Sequence, residues 1–155
     1  MTFSEAISSG FRRYFDFMGR SIRSEYWFWT LFVFLVSIPL QLLTLVAPIL
    51  LILSLIFSIA TMIPGLAVTI RRLHDLDRTG WWTVVPAGLV SVGYAILIPA
   101  IVNGRNPSVI AYVPFIAAFA FGILLLVWFC TKGTDGPNRF GDDPLGKSDT
   151  AGVYA

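Results

Sequence analysis

Ionisable side chains are missing from three long stretches of this chain: Tyr26 to Ile70, Thr79 to Gly104 and Asn106 to Thr131 contain no Asp, Glu, Lys, Arg or His. Such groups at a bilayer centre are costly and mark proton or ion routes, so their absence argues against a pump or an ion-coupled transporter and leaves a passive pore open. Cysteine is nearly absent too: Cys130 is the only one, which excludes an intrachain disulfide and any stapled extracellular scaffold. Charge is scarce at 13%, and the net +2 is spread over several segments rather than gathered in a phosphate-tracking stripe, which argues against nucleic acid as a partner. The first 25 residues lack an apolar signal core, so no cleaved leader is expected.

What is abundant is apolar surface, 56% of residues with a mean hydropathy of +0.77. Each uncharged stretch exceeds the roughly 20 residues that cross a hydrocarbon core of about 30 Å. The first would be about 68 Å long as one helix at about 1.5 Å per residue, so it must fold back. Ala47-Pro48 is the natural turn, because the residue before a proline leaves the helical region while the proline suits the first position of the next helix. The expectation is an all-α polytopic membrane protein with four transmembrane helices, about 26–46, 48–70, 80–102 and 107–130. The spans form a single domain over 1–145, with a loose tail at 146–155. Asn106-Pro107 is expected to open the fourth span, and Pro39, Pro64, Pro86, Pro99 and Pro114 to kink or bound the helices.

Ten of the eleven Lys and Arg residues, and all nine acids, fall before Tyr26, between spans two and three, or after Thr131. Arg105 alone lies on the other side. The excess of Lys and Arg in short flanking loops predicts that both termini face the cytoplasm. All five tryptophans, Trp27, Trp29, Trp81, Trp82 and Trp128, fall at span ends on that same side, where an indole suits the headgroup level as an interfacial anchor.

Residues 2–18 read as an amphipathic interfacial helix. Phe3, Ile7, Phe11, Tyr14, Phe15 and Met18 recur at spacings of three and four, and Glu5, Ser8, Ser9, Arg12, Arg13 and Asp16 are opposite. Thr2 and Glu5 have capping-box spacing, and Gly19 is the expected stop. A helix packed against the protein's own surface is the alternative reading. Ser54 with Ser58, and Ala118 with Gly122, have small-x-x-x-small spacing that permits close helix contact.

The informative polar residues lie at the basic rim: Arg20, Arg23 and Glu25 before span one, and Arg71, Arg72, His74 and Asp75 after span two. If the second helix continues through Asp75, both arginines fall within one turn of it. The segment from Lys132 to Pro144 is too rich in turn formers for a helix and reads as an ordered cytoplasmic loop. Asn138 and Asp143 place it in the same candidate cap, with Phe140 expected among the helix ends and the acids expected to face Arg71 and Arg72. Its Asp and Asn spacing lacks the alternation and terminal glutamate of an EF-hand.

Gly19-Arg20, Arg23-Ser24-Glu25-Tyr26-Trp27, Pro64, Arg71-Arg72-Leu73-His74-Asp75, Gly80-Trp81-Trp82, Gly133-Thr134, Gly136, Asn138, Phe140-Gly141 and Asp143-Pro144 together resemble the domain of unknown function 805 family. The resemblance covers about residues 11–145. It implies a small multi-pass protein of the bacterial inner membrane, and supplies no reaction, cofactor or catalytic residue. Asp77-Arg78-Thr79 departs from the glycine- or serine-rich composition expected there.

No catalytic, cofactor-binding or metal-ligating residue is assigned, and no cofactor is expected. The favoured role is a non-catalytic accessory or scaffold protein whose cap binds membrane lipid, anionic by its charge, or a partner membrane protein or second copy. A small passive transporter or channel would need Ser37, Gln41, Thr44, Ser58, Thr61 and Ser91 on one path. A lipid-phosphate enzyme would centre on His74 with Arg71 and Glu25.

Overall fold

The computed structural model describes residues 1–146, and the expected tail lies outside them except for Gly146. The fold is all-α, and four of its helices are long and apolar enough to cross a membrane. The chain divides into two compact units, one formed by Met1–Arg78 with the segment from Lys132 onward, the other by Thr79–Thr131.

In the first unit, α1 (Phe3–Arg12) opens with the expected capping box, in which Thr2 accepts from the Glu5 amide and Glu5 accepts from the Thr2 amide. The Thr2 amide holds the Glu5 carboxyl below its ordinary range. The helix ends at Arg12, well short of Gly19. Asp16 provides a physical reason: it accepts from Arg13 Nε at 2.8 Å and from the Met18 amide at 3.0 Å, folding 13–18 into local turns that compete with helix. Burial pushes the Asp16 carboxyl up, but the Arg13 and Met18 bonds outweigh it and hold it below the usual range.

Helices α2 (Arg23–Thr44) and α3 (Leu51–Asp75) form a hairpin. Its turn falls at Ala47, which is extended, and Pro48, which opens a single 3₁₀ turn before α3. α1 packs on the hairpin through Ala6 and Gly10, both buried. A Cβ on Gly10 would fall onto the Trp29 ring, so only glycine allows this approach. Phe11 meets Trp29 and Phe32 edge-on at 5.1 and 6.0 Å, while Phe15 and Met18 remain exposed.

Pro64 sits inside α3 and is buried. It has no N–H to give the carbonyl four residues back, that of Ala60. The Tyr14 hydroxyl donates to that oxygen at 2.9 Å, so the freed acceptor ties the N-terminal segment to the span. Tyr14→Phe should cost about 1–3 kcal/mol by leaving the carbonyl unmet. The same change made on Pro64→Ala, where the helix can satisfy Ala60 itself, should cost much less. Equal costs in the two backgrounds, measured by unfolding in mixed micelles, would remove this account of Tyr14.

The second unit is a hairpin of α4 (Val84–Val102) and α5 (Val113–Cys130), each preceded by a 3₁₀ turn. Gly93 faces Phe115 so closely that a Cβ there would lie 2.6 Å from the ring, and Tyr94 meets Phe115 edge-on at 5.2 Å. Trp82 stacks on Phe121 at 5.8 Å and meets Trp128 edge-on at 5.6 Å. Pro107 does not open the fourth helix: Ser108 caps the 3₁₀ turn, and Pro114 takes the early position of α5. A Cβ on Gly122 would meet open space among the described residues, whereas Ala118 is buried.

Candidate functional site: a buried ionic cap

The end of α3 carries two successive arginines, one helical position apart and therefore about 100° apart around its axis. Both are fully buried, and they serve different segments. Arg71 turns toward the N-terminal segment. It donates to the Arg13 and Asp16 carbonyls, in the turns that follow α1, and shares the Arg13 oxygen with the Asp16 amide. Its Nη2 pairs with Glu25 Oε1 at 3.4 Å. Glu25 also accepts from Ser9 and Ser21, each at 2.8 Å. The Ser21 amide donates to the Arg71 carbonyl at 3.0 Å, so the α1–α2 linker is stitched to α3 by side chain and backbone.

Arg72 turns toward Asp75, and the pair is joined from across the fold by Arg20, whose Nε lies 3.0 Å from Asp75 Oδ1. Arg20 continues to the Gly136 and Thr134 carbonyls at 2.6 and 2.5 Å. Thr134 in turn donates to the Asp75 carbonyl through its amide at 2.8 Å and its hydroxyl at 3.1 Å. A Cβ on Gly133 would land on the Asp75 carboxylate, so the backbone approach requires glycine at that position. Arg20 and Asp75 thus bind three segments: the linker, the end of α3 and the chain after Lys132.

His74 lies beside this network. Its Nδ1 is 3.1 Å from the Gly19 carbonyl, which can only accept, so the ring proton sits on Nδ1 in the neutral form. The ring stacks on Phe140 at 3.9 Å with the planes 3° apart. Asn138 positions Phe140 by accepting from its amide at 2.9 Å, while its Nδ2 donates to the His74 carbonyl at 2.9 Å. Asp143 is buried at 8% exposure and accepts from the Gly136 and Leu145 amides. Asp143, Arg20, Arg23, Arg72 and Asp75 border a small cavity of about 70 Å³.

Just beyond Asp75, α3 ends in a paired closure: the Asp77 amide donates to the His74 carbonyl and the Arg78 amide to the Leu73 carbonyl. This closure needs a left-handed residue at Asp77, whose φ is +55° and which opens the stretch expected to be rich in glycine or serine. Arg139 holds it, donating to the Asp77 carboxylate at 3.0 Å and to its carbonyl at 2.6 Å.

Of the sequence candidates, Arg20, Glu25, Arg71, Arg72, His74, Asp75, Asn138 and Asp143 therefore lie in one connected set, with Arg23 exposed at its edge. Sequence reasoning did not place Ser9, Ser21, Gly133 or Thr134 in the cap, because the role of these small residues there depends on a partner distant in the chain. Among the tryptophans, Trp29 is only 3% exposed and packs inside the first unit, whereas Trp81 is 78% exposed. Ser37, Ser58 and Thr61 border one groove. Thr61, Thr44 and Ser91 each donate to a carbonyl of their own helix.

The fold and this cap define a multi-pass, all-helical membrane protein with an internally neutralised ionic joint at one end of its first span pair. A family profile described as "Protein of unknown function (DUF805)" matches residues 14–142, and the chain belongs to that family. The inner membrane protein YhaI of Escherichia coli K12 is 36% identical over 134 residues, 86% of this chain and 89% of its own. The inner membrane protein YhaH of the same strain is 31% identical over 138 residues, 86% and 90% respectively. No solved structure matches the chain significantly. The protein is accordingly an inner-membrane protein.

Proposed function

We propose that this protein is a non-catalytic accessory or scaffold component of the inner membrane, with both termini in the cytoplasm and its cap resting on anionic lipid. The supporting observation is the sorting of its charges. Arg20, Arg71 and Arg72 are buried and committed to carboxylates and carbonyls, which leaves them to a structural task. The exposed cation Lys132 is held by a surface pair with Asp135, whereas Arg139 adds to its Asp77 pair a bond to the Asp77 carbonyl and a place over the Phe140 ring. Exposed pairs are worth about 0–1 kcal/mol, so exchanging a carboxylate for a lipid phosphate costs little. Arg12 lies on the same helix as Phe3 and Phe11, which are partly exposed, an arrangement suited to the headgroup boundary.

Reconstituted into nanodiscs, the full-length protein should melt at a higher temperature as phosphatidylglycerol replaces phosphatidylcholine. Linkage gives about 2.7 kcal/mol of stabilisation once lipid exceeds its dissociation constant about a hundredfold. Salt, or Arg12→Gln with Lys132→Gln, should flatten the dependence. A melting temperature indifferent to lipid charge in the wild type would refute the lipid reading. A reporter fused after Ala155 and active only in the periplasm would refute the orientation.

A further inference from the structure

We infer that the groove between α2 and α3 is a binding site for the ester-bearing part of a phospholipid, with Trp29 Nε1 as its hydrogen-bond donor. This goes beyond headgroup binding by the cap, because the contact concerns the acyl ester and is indifferent to headgroup charge.

Two cavities of about 400 and 410 Å³ lie along the hairpin and share Val33 and Ser37 in their walls, so they form one elongated groove. One part is bordered by Trp29, Thr30, Gly65 and Thr69, the other by Ser58, Ile59, Thr61 and Met62, and the walls of both are mainly apolar. A mainly apolar groove with one unmet donor in its wall matches an acyl chain that carries an oxygen acceptor at one end. Trp29 is 97% buried by its 3% exposure, yet its indole N–H has no hydrogen-bond partner among the described residues. That nitrogen faces the gap left by Gly65, where a Cβ would stand 3.4 Å from it. A buried donor without an acceptor is costly, and an ester carbonyl entering the gap would satisfy it.

Depth supports the same ligand. Trp29 is six residues along α2 from Arg23, and Gly65 six residues along α3 from Arg71, about 9 Å from the ionic cap in each case at about 1.5 Å per residue. That is just inside the headgroup layer, where lipid esters lie. Thr30 and Thr69 each donate to a carbonyl of their own helix, so neither competes to donate, and their oxygens can accept from bridging water.

The test uses the wild-type protein, labelled with ¹⁵N at its indoles and held in detergent, with Trp29→Phe serving only to assign the resonance. Titration with diester phosphatidylcholine should move the Trp29 indole N–H downfield and saturate. The dialkyl ether analogue, which has the same headgroup and chains but no carbonyl, should bind about threefold to tenfold more weakly and leave that proton near its starting shift. The lipid is zwitterionic, so failure here is separable from failure of the anionic-lipid reading. A photo-reactive residue at Ser37, in native membranes, should yield an adduct of lipid mass. Equal response to ester and ether lipid, no saturable shift, or an adduct with a polypeptide, whether a second copy or another membrane protein, would overturn the inference.

Discussion

Asp75→Ala is expected to destabilise the protein by about 3–5 kcal/mol, because it strands Arg20 and Arg72 in a buried site without their shared carboxylate. The cost should greatly exceed that of removing an exposed carboxylate such as Asp135, whose pair with Lys132 is about half exposed on both sides. Arg20 would retain the Thr134 and Gly136 carbonyls, but the close seat of Gly133 against the carboxylate would be lost. Detachment of the segment after Lys132 should therefore accompany the loss of stability, read as faster amide exchange at Thr134. An Asp75→Ala protein as stable as the wild type, with Thr134 still protected, would show that the three segments are held by something else.

The second large effect is at Arg71. Arg71→Ala removes the donor to the Arg13 and Asp16 carbonyls and leaves Glu25 buried with only Ser9 and Ser21 as partners. A cost of about 3–5 kcal/mol is again expected, since the abandoned carboxylate bears the desolvation. Here the segment released is the α1–α2 linker, and the amide to watch is Ser21. Combining Arg71→Ala with Glu25→Gln should recover part of the loss, because a neutral amide can remain buried on the two serines at lower cost. Detergent-solubilised unfolding of the single and double variants measures the recovery, and a double variant no better than the single one would contradict this assignment of the penalty.

The two sites differ in how far they could be read from the chain alone. Runs without ionisable groups locate the spans because each such group would be costly in hydrocarbon, and this constraint acts residue by residue. The Ala47-Pro48 turn and the Thr2-Glu5 capping box are equally local, set by backbone sterics and a three-residue spacing. Local competition explains the two boundary errors: the Asp16 turns stop α1 early, and Ser108 caps ahead of Pro107. Arg71, Arg72 and Asp75 could be grouped because a helix continues through them. What could not be read is which arginine faces which segment, since that depends on how α1 and the chain after Lys132 approach α3. Trp29 illustrates the same limit. Its place near a span end says nothing of the neighbour that buries it, because Gly10 admits its ring beneath α1, a contact between residues distant in sequence. Pro64 did carry a usable signal, since a proline within a span obliges something to meet the Ala60 carbonyl, and Tyr14, in the turn after α1, is a natural donor.

The central claim is that one ionic joint fastens both the α1–α2 linker and the chain after Lys132 to the end of α3. Amide hydrogen exchange of the wild-type protein at Ser21 and Thr134 tests it most directly, because neither residue lies in a helix and each amide has its bond to α3. Both should exchange slowly, with protection of the same order as the Arg71–Asp75 turn they bind. Exchange at the rate of an unstructured peptide at either position, while that turn stays protected, would contradict the claim.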